Sequence, residues 1–348
     1  MSSDTIIITG GAGFIGSVLC KELNTQGYKN IILVDRLRDK NKWKNLLGLD
    51  FSDFINADDF FPFIEQNNFI NKNISTIFHM GACSETTQKN VDYLIQNNVE
   101  YSKSIFNLCS KLRCKLIYAS SAATYGSGEQ GYSDDHQLIS KLRPLNPYGF
   151  SKQLFDRWIL QQLSISSSYI SFPPFWAGIK FFNVFGPQEY HKGNMSSVVL
   201  KAYQQIKSCG HVKLFKSHNQ NYLDGQQLRD FVYVKDCVLA MIEMMKINFI
   251  ENKGSIPVSV SASGIYNMGT GQARSFKDLA LAVFSALNIN PSIEYIDMPE
   301  DIRNQYQYYT QAEMQKLQAL LPKFKFSSLE NSVNDYVLNY LISADRYL

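Results

Sequence analysis

Tyr148-Gly-Phe-Ser-Lys152 sets a phenol and an ammonium four residues apart, a spacing that puts both on one face of a helix. A cation beside a phenol favours its ionised form, and a phenol so tuned can take a proton from a sugar hydroxyl while hydride leaves for a nicotinamide. Ser121 lies just past the apolar run Lys115-Leu-Ile-Tyr-Ala119. It can hydrogen-bond the same oxygen, because ligands of parallel sheets sit at the strand ends. Alone, the Tyr-x-x-x-Lys spacing is commonplace and mostly marks a surface pair. It gains meaning from Thr9-Gly10-Gly11-Ala12-Gly13-Phe14-Ile15-Gly16. Gly10, Gly13 and Gly16 permit a tight turn, a close backbone approach to a pyrophosphate, and helix-on-strand packing; the helix start supplies N–H donors and positive dipole. Asp35 ends the next apolar run and suits a ribose diol, as NAD presents. Arg36 and Lys42 suit a 2′-phosphate instead, and the basic stretch Arg36, Arg38, Lys40, Lys42 and Lys44 is otherwise a solvated loop. NADP is favoured and NAD stays open.

The elements that must position these groups read as alternating strands and helices. Strands are expected at 5–9, 30–35, 74–79, 115–119 and 177–184, and helices at 14–23, 93–112 and 149–163. That rhythm implies right-handed βαβ units and a doubly wound parallel sheet covered on both faces, an α/β Rossmann fold. Beyond Asn183 the rhythm changes. A helix is expected at 194–209, a polar loop at 216–227, a strand at 230–234 with a helix from 235, a surface loop at 251–263, a strand at 265–268 and a helix at 275–287. The dinucleotide domain is placed at 1–182 with a return around 229–270, and a smaller C-terminal α/β substrate lobe at 183–228 and 271–348.

The chain has 348 residues, enough for a large core, with 45% hydrophobic and 19% charged residues, which excludes wholesale disorder. A net charge of +3 gives no footing for bulk binding to nucleic acid or anionic membrane. Six scattered cysteines without a CxxC pair suit a reducing compartment and no metal site. Residues 158–179 carry no charge over 22 positions, but glutamines, serines and two prolines there argue for helix end, loop and buried strand rather than a membrane span. No signal peptide is read at the start, so a cytoplasmic protein is expected.

Together the glycine turn, Ser121, Tyr148 and Lys152 resemble the extended short-chain dehydrogenase/reductase superfamily, which acts mostly on nucleotide sugars. Within it, further segments are similar to the ADP-L-glycero-D-manno-heptose 6-epimerase family of lipopolysaccharide inner-core synthesis: Gly81-Ala-Cys-Ser84, Tyr118 to Gly126, His191-Lys-Gly193, Arg229 to Val234, Asn267 to Gly271 and Tyr306 to Ala312. Related 4,6-dehydratases typically carry an Asp-Glu pair where this chain has Ala122 and Ala123, which disfavours dehydration. The resemblance implies one tightly held NADP per subunit and internal redox at C6″ of an ADP-heptose. A 6″-ketone would turn over in the pocket and be reduced on its other face.

Position by position, the resemblance makes Tyr148, helped by Ser121 and Lys152, one acid/base and Lys192 the other. It lines the cofactor with Gly10, Gly13, Phe14, Ile15, Gly16, Asp35, Arg36, Lys42, Met80, Gly81, Ala82, Cys83, Ser84, Asn97, Lys152, Val184 and Lys192. It surrounds the substrate with Ser121, Asn183, Asn194, Lys201, Phe215, Lys216, Ser217, His218, Arg229 and Tyr306, Arg229 as a pyrophosphate ligand. It also implies a homo-oligomer, with a pentamer among the options. Met80, Asn194 and Lys216-Ser-His218 depart from the family's usual residues, and the stretches 164–176, 219–227 and 251–263 are longer than expected. A UDP-hexose 4-epimerase, or a dinucleotide-binding module without catalysis, are the competing readings. Plainer roles compete residue by residue. Lys192 reads as a solvated loop lysine, His191 as a structural hydrogen bonder and His79 as a satisfied core histidine. Cys83 reads as packing, and Asp134, Asp135 and His136 as a solvated loop. Arg229 could pair with Asp230, and Tyr306 could serve packing alone.

Overall fold

The computed structural model describes residues 4–38, 41–67, 73–165, 172–247, 262–303 and 306–348. The strands are β1 (Thr5–Thr9), β2 (Ile31–Asp35), β3 (Asp53–Asn56), β4 (Ile74–His79), β5 (Lys115–Ser121), β6 (Trp176–Phe181), β7 (Asn183–Phe185), β8 (Val212–Phe215), β9 (Leu228–Tyr233), β10 (Gly264–Met268), β11 (Ala273–Ser275) and β12 (Ile293–Ile296). The helices are α1 (Phe14–Thr25), α2 (Phe60–Gln66), α3 (Val91–Ile95), α4 (Tyr101–Leu112), α5 (His136–Ile139), α6 (Pro147–Ile165), α7 (Val198–Cys209), α8 (Val234–Lys246), α9 (Phe276–Ala286), α10 (Glu300–Arg303), α11 (Gln315–Leu320) and α12 (Leu329–Tyr336).

Seven strands form one parallel sheet in the order β10-β6-β5-β4-β1-β2-β3. Every residue of β1, β2, β6 and β10 is buried, as flanking helices on both faces require of near-continuous apolar strands. The order reverses between β1 and β4, which opens a crevice at their carboxyl ends. Two small sheets, β11-β9-β7 and β12-β8, lie outside it. Of the stretch 229–270, β10 joins the main sheet and α8 packs on α1, while β9 pairs with β7 and β11.

The doubly wound fold is as expected, and the differences are local. The single strand expected at 177–184 is two. Phe182 N donates to Met268 O, and the chain then leaves the main sheet to pair with β9. The helix expected from 194 begins at 198, because Gly193 has φ +53° and Ser197 caps α7 by accepting from Leu200 N. The helix expected at 93–112 spans α3, a π turn (Gln96–Glu100) and α4. β3, α2, α5, β8, β11, β12, α10, α11 and α12 were not anticipated. β3 is an edge strand with one buried residue, and β8 and β12 pair only with each other, so none carries a long apolar run. The expected loop at 251–263 lies, but for its last two residues, outside the described residues.

His79 closes β4 as the satisfied core histidine expected. It is bonded to Thr9 Oγ1 at 2.6 Å and Ser102 Oγ at 2.9 Å. Burial and then the Lys152 charge push it from 6.5 to about 3. The folded protein thus holds His79 neutral where the unfolded chain protonates it. The stability this represents is complete above pH 6.5 and is lost as pH falls towards 3, a loss on the order of 4 kcal/mol. Chemical denaturation between pH 7 and pH 4 should show a steeper loss of stability for the natural protein than for His79→Gln.

Candidate active site

The turn after β1 shapes the first wall of the site. Gly10 has φ +69°, and a Cβ there would stand 2.7 Å from Gly81 N, so two strand-end loops meet in backbone contact that only glycine allows. A Cβ on Gly16 would collide with Gly10 O. These cradles leave the start of α1 bare, and Gly10, Gly13, Phe14, Ile15 and Gly16 line a cleft of about 870 Å³. An extended, twin-phosphate ligand fits this donor set and volume.

Asp35 closes one end of the cleft, but its carboxylate is already engaged. Oδ2 accepts from Ala12 N at 3.0 Å, while Oδ1 accepts from Arg36 N at 2.7 Å and from Lys42 Nζ at 2.5 Å. Arg36 pairs with Asp58 at 2.6 Å and reaches Asn97 Oδ1 at 3.2 Å. Arg38 donates to Tyr93 Oη at 3.2 Å. Of the basic stretch, Arg36, Arg38 and Lys42 line the cleft, although Arg38 is exposed, as the solvated-loop reading has it; Lys44 does not line the cleft. Met80, Gly81, Ala82, Cys83 and Ser84 continue the wall. Asn98, in the π turn, holds that loop by accepting from Cys83 N at 2.8 Å and donating to Cys83 O and Ser151 Oγ, each at 3.0 Å.

Ser121, Tyr148 and Lys152 line the same cleft. Pro147 opens α6, a position where its missing N–H costs nothing, and Asn146 Oδ1 accepts from Gly149 N at 2.8 Å. Tyr148 and Lys152 thus occupy the first turns, facing the cleft. Lys152 Nζ donates to Ala119 O at 2.7 Å. Burial lowers the Lys152 ammonium to about 8, against the opposing pull of Asp156 and Cys83. The expected lowering of the phenol does not dominate. Burial raises Tyr148 above its ordinary value, and the hydrogen bond from Ser121 works against this. With its oxygen on the Ser121 hydroxyl, the phenol can give and take a proton at one face of a bound molecule.

The 3-10 segment Tyr190–Met195 supplies a further lysine to the cleft. Lys192 Nζ lies 5.1 Å from the Phe14 ring centre in the cleft wall, so it is not the solvated loop lysine its spacing suggests. Burial lowers it and Glu189 raises it. Asn45, buried, fixes this segment by donating to Ala12 O, Gln188 O and His191 Nδ1 at 3.0–3.2 Å, which makes His191 a structural partner as well as a cleft residue. Asn97, Asn183 and Val184 also line the cleft.

The remaining substrate candidates do not join this cleft. Lys201 Nζ donates to Asn194 O at 2.7 Å. Lys216 pairs with Asp297 at 3.5 Å, Ser217 N donates to Asp224, and His218 N donates to Tyr308 Oη at 3.1 Å. Phe215 meets Tyr306 edge-on, and the Arg229 guanidinium lies 5.2 Å from the Tyr306 ring centre. Arg229 is 7% exposed, and among the described residues it bonds only carbonyls, of Leu228 and Gln307. It does not pair with Asp230, whose carboxylate is taken by Thr270, Gly271 and Ala312. A buried cation bonded to neutral oxygens keeps its charge available for an anion. These residues form a second polar–aromatic cluster around β8, β9 and 306–308.

One reading needs correction. Asp134 is 5% exposed and accepts from Asn267 N at 2.8 Å, and His136 accepts from Ile265 N, so these two tie a loop to β10 and are not solvated, whereas Asp135, which caps α5, is exposed as expected. Among the described residues no three His, Cys, Asp or Glu side chains are grouped to hold a metal. Tyr93 and Tyr101, with Asn97 between them, were missed as cleft residues; their four-residue spacing in the sequence was the available signal. Asp58 was missed because it follows the unanticipated β3.

The sequence profile of the NAD dependent epimerase/dehydratase family matches residues 6–259. The chain is 46% identical to the ADP-L-glycero-D-manno-heptose-6-epimerase of Fusobacterium nucleatum, over 99% of this chain and 100% of that one. To the protein of the same name from Alkalilimnicola ehrlichii it is 40% identical, over 95% and 96%. The crystal structure of the Helicobacter pylori ADP-L-glycero-D-manno-heptose-6-epimerase superposes with a TM-score of 0.74 at 28% identity, covering 97% of this chain and 96% of that one.

Proposed function

The chain belongs to the NAD dependent epimerase/dehydratase family and, within it, to the ADP-L-glycero-D-manno-heptose 6-epimerases, and from that premise we propose that it inverts C6″ of ADP-D-glycero-D-manno-heptose in lipopolysaccharide inner-core precursor synthesis. One observation carries this: Ser121, Tyr148 and Lys152 line the same cleft as the glycine turn and a further lysine, Lys192, which lies beside Phe14. An epimerase must move protons at an oxygen presented in two orientations, and two separate acid/base groups serve that need.

The dinucleotide supplies a hydride acceptor and donor at the sugar carbon. Tyr148, steadied by Ser121, handles the proton of the C6″ oxygen in one orientation. Lys192 handles it in the other, after the ketone has turned over. Arg229 and the cluster around Phe215 and Tyr306 hold the ADP end while the heptose turns, so binding at the far end keeps the reacting carbon in reach. In this reading, 1–182 with α8 and β10 hold the cofactor, and 183–228 with 271–348 hold the sugar nucleotide. A homo-oligomer in the cytoplasm completes it. Among the described residues no helix is long and apolar enough to cross a membrane.

The cofactor is assigned as NADP. The Lys42 ammonium, 2.5 Å from Asp35, cancels the charge that would repel a 2′-phosphate, and Arg36 and Arg38 line the same end. Lys42→Ala should weaken NADP about tenfold by titration calorimetry and leave NAD affinity unchanged or higher. A preference for NAD in the natural protein would overturn the assignment.

Proton NMR of the purified protein with ADP-D-glycero-D-manno-heptose and no added cofactor tests the function. Conversion to a mixture of both C6″ epimers is the expected result. No change after NADP and NAD are supplied would refute it.

A further inference from the structure

Asp156 and Lys180 form an ion pair with no exposed side-chain surface, Nζ to Oδ2 at 2.7 Å. Neither lines the cleft. Such a pair is a poor device for stability, since desolvation offsets most of its attraction and an apolar pair of similar volume does as well. Its surroundings suggest another use. Asp156 sits one helical turn beyond Lys152 on α6 and accepts from both inward-facing residues of the β5 end, Tyr118 Oη at 2.9 Å and Ser120 Oγ at 2.7 Å. Lys180, on β6, also donates to Thr124 Oγ1 at 2.6 Å. Thr124 in turn donates to Ser121 O at 2.8 Å. Ser121 is therefore held from both sides, through Ser120 before it and Thr124 after it, by one buried pair anchored on the helix that carries Tyr148 and Lys152. Lys180 lies 5.3 Å from the Tyr125 ring centre, and Tyr125 Oη bonds Asn267 on β10.

We propose that the Asp156–Lys180 pair is a positioning device for the reaction, fixing Ser121 against Tyr148 and placing a carboxylate beneath Lys152 that favours its ammonium form. The inference rests on the acid/base roles given above to Ser121, Tyr148 and Lys152. The groups facing Lys152 are Asp156 and Tyr148 on its own helix, Cys83 from the loop after β4 and His79 from β4 itself. Asp156 is the carboxylate among them, so it sets how far burial can strip the proton from Lys152.

Removing one partner would strand a buried charge, so the test removes both: Asp156→Asn/Lys180→Met, in the cofactor-loaded protein. The expected result is a thermal midpoint within a few degrees of the natural protein, a kcat lower by about 10–100-fold and a KM within about threefold. The alkaline limb of the rate should also move to lower pH. Independently of any substrate, the ¹³Cε-lysine NMR resonance of Lys152, identified by its loss in Lys152→Met, should titrate about one pH unit lower in the double variant. Lys180→Arg, which keeps charge and donors, should retain most of the rate. A folded double variant with the natural kcat and an unmoved Lys152 midpoint would overturn the proposal. If the double variant does not fold, Thr124→Val carries the test. It deletes one hydroxyl and keeps the pair, and it should lower kcat about fivefold at constant KM; an unchanged kcat would refute the clamp. If the natural protein leaves ADP-heptose untouched, the functional reading fails while the lysine titration still decides for or against the pair.

Discussion

Tyr148→Phe should lower epimerisation by about 10³-fold or more while the protein still folds and binds its dinucleotide, as measured by turnover in the NMR assay beside calorimetric cofactor titration. The substitution removes one oxygen. In the structure that oxygen is hydrogen-bonded by Ser121, and the other phenols along the described cleft are engaged elsewhere, Tyr93 Oη with Arg38 and Tyr101 Oη with Ala57 O. Binding should change little, because the substitution leaves every group of the glycine turn and of the Asp35–Lys42 end in place. The pH dependence gives a second handle. Lys152 sits at about 8, so its ammonium is present below that pH and is lost as pH rises through it. If the ammonium is needed to favour phenolate character in Tyr148, the rate should decline above about pH 8. A Tyr148→Phe protein with full turnover would remove Tyr148 from the chemistry and with it the reason for that decline.

What could be read from the sequence follows the range of the interactions involved. The glycine turn, the Tyr148–Lys152 face and the apolar runs of β1, β2 and β6 are local patterns, and their physics is complete within a few residues: backbone freedom, helical spacing, burial on both faces. The doubly wound sheet followed from their alternation. What was not legible depends on distant partners. Nothing near Lys42 in the chain says that its ammonium is spent on Asp35, and nothing near Lys152 says that it donates to Ala119 O rather than sitting free beside Tyr148. Asp134 read as a solvated loop residue because its partner, Asn267 N, lies 133 positions away. β8 and β12 escaped notice because each is four residues long and pairs only with the other. The same limit divides the site candidates. Residues on strand ends and on α6 came together in one cleft, whereas Arg229, Phe215, Lys216, Ser217, His218 and Tyr306 gathered in a separate cluster. Placing them around one bound nucleotide sugar is therefore a proposal about the ligand's reach rather than a property of any single segment.

Lys192→Met tests the half of the mechanism that the Tyr-x-x-x-Lys pattern alone could never supply. The substitution keeps the unbranched stem beside the Phe14 ring and deletes the ammonium. If Lys192 manages the proton in the second orientation of the sugar, the variant should retain its dinucleotide and lose about 10²–10³-fold in epimerisation. The loss should persist in saturating cofactor. The alternative is that Lys192 serves only to hold the dinucleotide, and a cation in the same wall as the glycine turn makes that a concrete rival. A cofactor ligand would show itself differently: weaker binding by calorimetry, and a rate restored by excess NADP. The local electrostatics favour the acid/base role. Burial works against the Lys192 charge while Glu189, 0% exposed and accepting from Ser197 N and Oγ, works for it. A lysine held between those opposing pulls changes protonation more readily than a solvated one. Lys192→Arg should then fail to restore the rate, because a guanidinium fills the wall and binds phosphate but does not release a proton in this range, whereas a pure anion-binding role would tolerate arginine. Full rescue by arginine would assign Lys192 to binding and leave Tyr148 to serve both orientations alone.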